Sequence, residues 1–340
     1  MRASILRGTR DVTVEERTRP QPGPREVLVR VGSVGVCGSD IHYYEHGKIG
    51  RFVVEQPLVL GHEASGVIEE LGEEVSSLSA GQRVSIEPGV PDLTCPQCLA
   101  GRYNLCPDMR FFATPPIDGA FAEYVVVHAS FAHPIPDSMS DDAAALLEPL
   151  SVGVWACRKA GVTAGSRVLI TGAGPVGLVS LQTALAFGAQ AVAVSDVNPA
   201  RLAVAAELGA TQTVDARTGS LAELTAAPDV LLECSGYPPA IADGIRALDR
   251  AGRAVLVGMG GDEVPLPLSV IQERELTVTG TFRYANTWPT AIGLVSSGRV
   301  NLDRLVTGSY LLDEVEDALT ASRRDAATIK VMVRPNGSTS

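Results

Sequence analysis

The sequence predicts an α/β protein in two parts, one β-rich and one a doubly wound parallel sheet. Three observations carry that expectation. Short β-branched runs punctuated by Gly, Pro and Ser fill the chain to about Ala132. From Gly165 to about Phe282, apolar strand-like runs alternate with helical segments, the pattern of a parallel sheet. Mixed text returns after that, so a strand–helix domain reads as inserted into a β-rich one that both chain ends complete. The expected boundaries are 1–150 plus 283–340 for the β-rich domain and 151–282 for the insert. The 340 residues also exceed one ordinary core, since domains cluster at roughly 100–200 residues.

In chain order, Val27–Val31, Gly66–Leu71 and Glu123–Val127 read as strands of the first part. Asp141–Ala160 reads as a helix with an interruption around Pro149. In the insert, Arg167–Thr171, Ala191–Ser195, Val230–Cys234 and Ala254–Gly258 read as buried strands. Val176–Phe187, Pro199–Leu208 and Pro239–Leu248 read as helices among them. Leu312–Ser322 is one more helix and Ile329–Val333 a last strand, and the polar tail 336–340 is expected to fray.

Composition narrows the function classes. The formal net charge is −11, there are three lysines (Lys48, Lys159, Lys330), and the arginines are scattered among acids. That is no footprint for a phosphate backbone, so no nucleic-acid partner is expected. No apolar run reaches about 18 residues and the N-terminus lacks an apolar signal region, so no membrane partner and a cytoplasmic setting are expected. Three of the six cysteines crowd between Cys95 and Cys106, which suggests a metal rather than disulfides.

Gly172-Ala-Gly174-Pro175-Val176-Gly177 follows a strand, opens a helix, and is followed by Asp196 at the end of the next strand. That context turns a weak glycine motif into a dinucleotide reading. Gly172 permits the tight turn, Gly174 lets backbone approach the pyrophosphate, and Gly177 lets helix and strand pack closely. The helix N-terminus offers free N–H groups to phosphate. Asp196 accepts from both ribose hydroxyls and repels a 2′-phosphate, which favours NAD. Arg201 is placed to contact adenine, pair with Asp196 or tolerate a phosphate.

Cys37, His62 and Glu63 are zinc-ligand types, and three protein ligands with an open position is the catalytic pattern. Neighbours on a strand point to opposite faces, so His62 and Glu63 share a metal only if the chain kinks, for which Gly61 and Gly66 are suited. By residue type alone, a buried cysteine with a structural histidine reads equally well.

Here a resemblance enters. Gly61-His62-Glu63-x2-Gly66-x5-Gly72-x2-Val75 resembles the signature of zinc-containing medium-chain alcohol dehydrogenases. Cys37–Tyr44, Arg110–Gly119, Leu147–Gly153 and Thr281–Trp288 resemble the sorbitol and xylitol (polyol) dehydrogenase branch. The likeness runs through nearly the whole chain and is more specific for family than for substrate. It implies a GroES-like catalytic domain and a Rossmann coenzyme domain. It implies one catalytic zinc per chain on Cys37, His62 and Glu63, with Glu148 beside it as a direct or water-mediated ligand. Ser39 is implied as the acceptor of the substrate proton and His42 as a relay to solvent. Tyr43, Phe111, Thr114, Glu148, Arg283 and Tyr284 match substrate-pocket positions. Pro175, Val176, Cys234, Val257, Thr281 and Arg283 join the cofactor positions, although Cys157 and Cys234 have no metal partner at useful spacing and read as core.

The resemblance also places a second, structural zinc on four cysteines, of which this chain keeps Cys95, Cys98 and Cys106 and carries Asp92 in the first position. A carboxylate binds zinc at about 2.0–2.2 Å, so one Asp and three cysteines form a sound donor set. The expected reaction is NAD-linked oxidation of a secondary hydroxyl of a polyol to a ketose through a zinc-bound alkoxide. The alternative is a zinc-dependent dehydrogenase of another secondary alcohol, diol or hydroxy acid. A homotetramer or homodimer is implied by the resemblance alone.

Overall fold

A computed structural model describes residues 1–337. Contacts divide the chain into two compact units, Met1–Glu148 with Leu302–Ser340, and Pro149–Asn301. The second junction lies at Asn301/Leu302 rather than at the expected 282/283.

In the first unit, β1 (Glu26–Gly35) is followed by α1 (Gly38–His46), β2 (Glu63–Leu71), β3 (Arg83–Ile86), β4 (Tyr124–His128) and β5 (Ala132–Pro134). The short helix α2 (Asp141–Ala145) comes next, capped by the Ser140 hydroxyl on the Ala143 amide. The sheet runs β5-β3-β2-β1, with β4 also paired to β1. Antiparallel pairing of β1 with β2 sets Gly35 opposite Glu63. Alternating residues such as Val27, Val29, Val31, Ile68 and Ile86 face one core.

In the second unit, α3 (Leu147–Ala160) follows a break at Leu146, and the unit junction falls between its Glu148 and Pro149. The interruption expected around Pro149 falls three residues earlier, at Leu146. A proline in the first turn gives up no helical hydrogen bond, so α3 continues through it. Then come β6 (Arg167–Thr171), α4 (Pro175–Ala186), β7 (Ala191–Asp196), α5 (Pro199–Glu207), β8 (Gln212–Asp215), β9 (Val230–Glu233), α6 (Pro238–Ala247), β10 (Arg253–Leu256), β11 (Thr277–Gly280) and α7 (Trp288–Ser296). The six parallel strands are ordered β8-β7-β6-β9-β10-β11, reversing direction at β6, where doubly wound sheets bind ligands. The strands β8 and β11 and the helix α7 lie beyond the elements foreseen in the sequence.

The chain returns to the first unit with β12 (Val306–Leu311), α8 (Val315–Arg324) and β13 (Lys330–Arg334). β13 pairs antiparallel with β1, placing Met332 opposite Gly35. The expected fraying of the tail is corrected at Asn336, whose side chain donates to the carbonyls of Val31 and Glu123 at 2.9 Å each. The rest of that tail, 338–340, lies outside the described residues. Among the described residues no helix is long and apolar enough to cross a membrane.

Candidate metal and cofactor sites

The first site is built where β1 ends and β2 begins. Cys37 is the extended N-cap of α1, and Gly61 turns the chain with φ 85° before His62. β2 starts only at Glu63, so His62 is not a strand residue and the alternation that would part the two side chains does not apply. The kink comes from Gly61. Gly66 serves differently, since a Cβ there would lie 2.2 Å from the Arg30 carbonyl of the neighbouring strand. One ligand atom each of Cys37, His62 and Glu63 lies within 4.8 Å of the others. Thiol, imidazole and carboxylate gathered in a largely buried spot form a donor set that fits zinc.

Two residues that sequence reasoning missed hold this set. The first is Asp40, fully buried in the first turn of α1. One carboxylate oxygen accepts from the Cys37 amide and the other from the Gly61 amide, both at 2.9 Å, and the latter lies 3.7 Å from His62 Nδ1. Asp40 therefore fixes the backbone of both ligand segments and orients the imidazole. Burial lowers the His62 pKa, but the Cys37 sulfur and Asp40 outweigh it and hold the ring well above the ordinary histidine range. The second is Lys330 on β13. Its ammonium donates to both Glu63 oxygens, at 2.7 and 2.8 Å, and to the Val36 carbonyl at 2.9 Å. Gly35 leaves the room for that carboxylate, since a Cβ there would lie 2.0 Å from Glu63 Oε2.

The other expected site residues divide. Ser39 is half-buried in the first turn of α1 and His42 is exposed on the same helix. Phe111 is buried with its ring 5.7 Å from that of His62. Thr114 is half-buried in the turn after Phe111, its amide donating to the Phe111 carbonyl. Glu148 is buried and acts on Lys330 by charge, but stands outside the three-residue ligand set. Tyr43 is buried in the main core of its unit. Tyr284 is buried in the other unit, its ring edge-on to that of Trp288 at 5.3 Å. Arg283 shares that unit, with a left-handed φ of 56° and its guanidinium 4.8 Å over the Phe282 ring.

The second metal set is Asp92, Cys95, Cys98 and Cys106, again within 4.8 Å of one another. Proline at the start of the short helix Pro96–Leu99 turns the chain so that the Cys95 and Cys98 sulfurs stand 3.5 Å apart. The Cys95 and Thr94 amides donate to Asp92 and pull its carboxyl down to about 2, so it is an anion ready to bind a cation. Burial, with the neighbouring Cys95 and Cys106, pushes the Cys98 thiol up to about 12, so without a metal it stays protonated. Leu93, Leu99 and Leu105 remain exposed around this lobe, which has little apolar core of its own.

The cofactor loop lies at the switch point of the parallel sheet. Gly172 has φ 92°, and a Cβ on Gly177 would lie 1.8 Å from the Gly172 carbonyl. Gly174 is the N-cap of α4, with nothing within 4 Å of an added Cβ. Pro175 and Val176 form the first turn of that helix. The Asp196 carboxylate accepts from the Ala173 amide at 2.6 Å and the Asn198 amide at 2.7 Å, which ties the loop to the end of β7. Each oxygen keeps a lone pair for a ribose hydroxyl. Arg201 sits in the first turn of α5, after the Asn198 cap. Val257 and Thr281 follow the strand ends, the Val257 amide donating to the Glu233 carbonyl and the Thr281 amide to that of Leu256. The Cys234 thiol is pushed to about 12 by burial and by Glu233. Glu233, also missed in the sequence, is fully buried and accepts from the Ser235 and Gly236 amides and the Thr171 hydroxyl, holding the loop after β9.

Comparison with known proteins agrees with this chemistry. Residues 23–137 match the alcohol dehydrogenase GroES-like domain, and residues 175–297 match the zinc-binding dehydrogenase family. The sorbitol dehydrogenase of Gallus gallus is 44% identical over 98% of this chain and 96% of its own length. The sorbitol dehydrogenase of Bacillus subtilis is 42% identical over 99% and 98%. Among solved structures, L-idonate 5-dehydrogenase from Escherichia coli superposes with a TM-score of 0.92 at 32% identity over 98% of each chain.

Proposed function

Because this chain belongs to the zinc-containing medium-chain alcohol dehydrogenases, we propose that it oxidises a secondary hydroxyl of a polyol to a ketose, with NAD as hydride acceptor. The observation that carries this reading is the convergence of Cys37, His62 and Glu63, braced by Asp40. Zinc held there supplies Lewis acidity that draws a hydroxyl pKa towards neutrality. NAD supplies the acceptor, and the Gly172–Gly177 loop with the free amides of α4 binds its pyrophosphate. Ser39 accepts the proton of the substrate hydroxyl, and exposed His42, three residues on, passes it to solvent. Thr114, Glu148 and Arg283 are assigned to the remaining hydroxyls, with Arg283 alternatively on the nicotinamide ribose. The tetramer or dimer belongs to the same proposal. It is supported by the open edge of β11 and by exposed Leu266 and Leu268 in the same unit.

A kinetic screen over xylitol, sorbitol, galactitol, arabinitols, simple diols and hydroxy acids, with zinc quantified, tests the substrate class. A kcat/KM highest for a simple diol or a hydroxy acid overturns the polyol reading. Asp196→Asn keeps an acceptor for the Ala173 amide but removes the charge facing a 2′-phosphate. The preference for NAD over NADP is expected to shrink by about tenfold, on the order of one charged hydrogen bond. An unchanged ratio of the two kcat/KM values rules Asp196 out as the discriminator.

We assign a second, structural zinc to Asp92, Cys95, Cys98 and Cys106. Purified protein is expected to carry two zinc ions per chain. Stripping the second is expected to expose three thiols to a disulfide reagent and to melt the lobe, because metal binding there is part of folding. Chelation that removes a zinc yet leaves the reactivity of Cys95, Cys98 and Cys106 unchanged counts against this site.

A further inference from the structure

His42 and His46 lie four residues apart on α1, so their side chains share one face of the helix. Both are exposed, and their ring centroids are 5.6 Å apart at 51°. Histidines at this spacing chelate a metal because one ion reaches a nitrogen of each at about 2.0–2.1 Å with little rotation of either ring. Glu45 Oε2 lies 3.7 Å from His46 Nε2, while its other oxygen is paired with the Arg323 guanidinium. The helix is anchored on its other side. The opposite face of α1 buries Tyr43 and Tyr44, the Tyr44 hydroxyl donates to Glu316 at 2.6 Å, and Gly47 closes the helix in a left-handed cap. Neither histidine belongs to the ligand set of Cys37, His62 and Glu63. His42 is five residues past Cys37, about 7 Å along the helix.

We propose that His42 and His46 form a separate, exchangeable site for a divalent late transition metal, and that filling it inhibits turnover. Imidazole pairs suit zinc, copper and nickel, and two protein ligands leave the remaining positions to water. Such a site is weaker than the three-ligand and four-ligand sets, so it fills only when those are already loaded. A bound ion takes the His42 lone pair that would otherwise receive the relayed proton. The binding rests on the helix geometry alone, whereas the inhibition rests on the relay assigned to His42 above.

The test uses tag-free holoenzyme with its tight zinc sites loaded, titrated with Zn²⁺ by equilibrium dialysis and assayed in parallel. Wild type is expected to bind one further zinc per chain and to lose turnover as it binds, recovering on brief exposure to a weak chelator. His46→Gln removes one arm of the chelate and leaves His42 in place. It is expected to keep wild-type basal turnover, to bind the further zinc about tenfold more weakly, and to shift the inhibition midpoint equally. Equal binding of the further zinc by wild type and His46→Gln overturns the site. Binding that is lost in His46→Gln, in a wild type whose turnover ignores added zinc, overturns the inhibitory role. His42→Gln separates the two readings: unchanged basal turnover refutes the relay, while its zinc binding still reports on the site.

Discussion

Cys37→Ser and His62→Ala are each expected to abolish zinc binding at the catalytic site and to lower kcat/KM by roughly 10³-fold or more, while NAD still binds. The size follows from the several kilocalories per mole of charge stabilisation that a Lewis-acid metal supplies. The survival of NAD binding follows from the architecture, since Gly172–Gly177 and Asp196 belong to the unit Pro149–Asn301 and both ligands to the other. The two variants differ in their secondary cost. Serine keeps the shape of the α1 N-cap, and Asp40 still accepts from the residue-37 amide. Alanine at 62 removes the imidazole beside Asp40, leaving the buried carboxylate with its two backbone donors. His62→Ala is therefore the less stable variant, by a thermal shift that Cys37→Ser does not share. Zinc content by mass spectrometry and NAD binding by calorimetry check both. Undiminished turnover in either variant sinks the metal assignment.

Much of this site was legible along the chain, and the residues that were not share a reason. The alternation of β6, β7, β9 and β10 with helices is a local periodicity, as is the glycine loop that opens α4, so each could be read within a short window. His62 and Glu63 were legible as neighbours of Gly61, although not the fact that β2 starts one residue later and frees His62 from strand alternation. Asp40 lay in plain view inside the Cys37–Tyr44 motif. Its role depends on Gly61 approaching from another segment, which local spacing does not encode. Lys330 depends on β13 pairing with β1 across most of the chain, and a register between distant strands leaves no local mark. α7 escaped for another reason: Trp288, Ala291 and Leu294 do fall at helical spacing, but Pro289, Thr290 and Gly293 break up a short stretch and read as loop text. The same helix carries the second junction past Trp288 to Asn301/Leu302.

Lys330→Met is expected to destabilise the protein by about 3–5 kcal/mol, the range for removing one partner of a buried ion pair. Lys330 is 3% exposed and Glu63 1%, and the two Glu63 oxygens and the Val36 carbonyl take all three ammonium protons. Methionine fills the volume but strands a buried carboxylate. Zinc brings its own positive charge to that carboxylate, so the loss is expected to be larger in zinc-free protein than in zinc-loaded protein. Glu63→Gln in the same chain removes the stranded charge, so the double variant is expected to recover part of the loss, a coupling that a purely steric role for Lys330 would not produce. Burial pulls the Lys330 pKa down, but Glu63 and Cys37 hold it above the ordinary lysine value. With the folded value above the unfolded one, the contribution is complete below the unfolded value and fades as pH rises through the folded one. The gap between wild type and Lys330→Met is therefore expected to stay flat from about pH 6 to 9. Urea denaturation with and without zinc checks each point. A variant as stable as wild type in both conditions would show that the Lys330–Glu63 pair contributes nothing beyond the packing that methionine replaces.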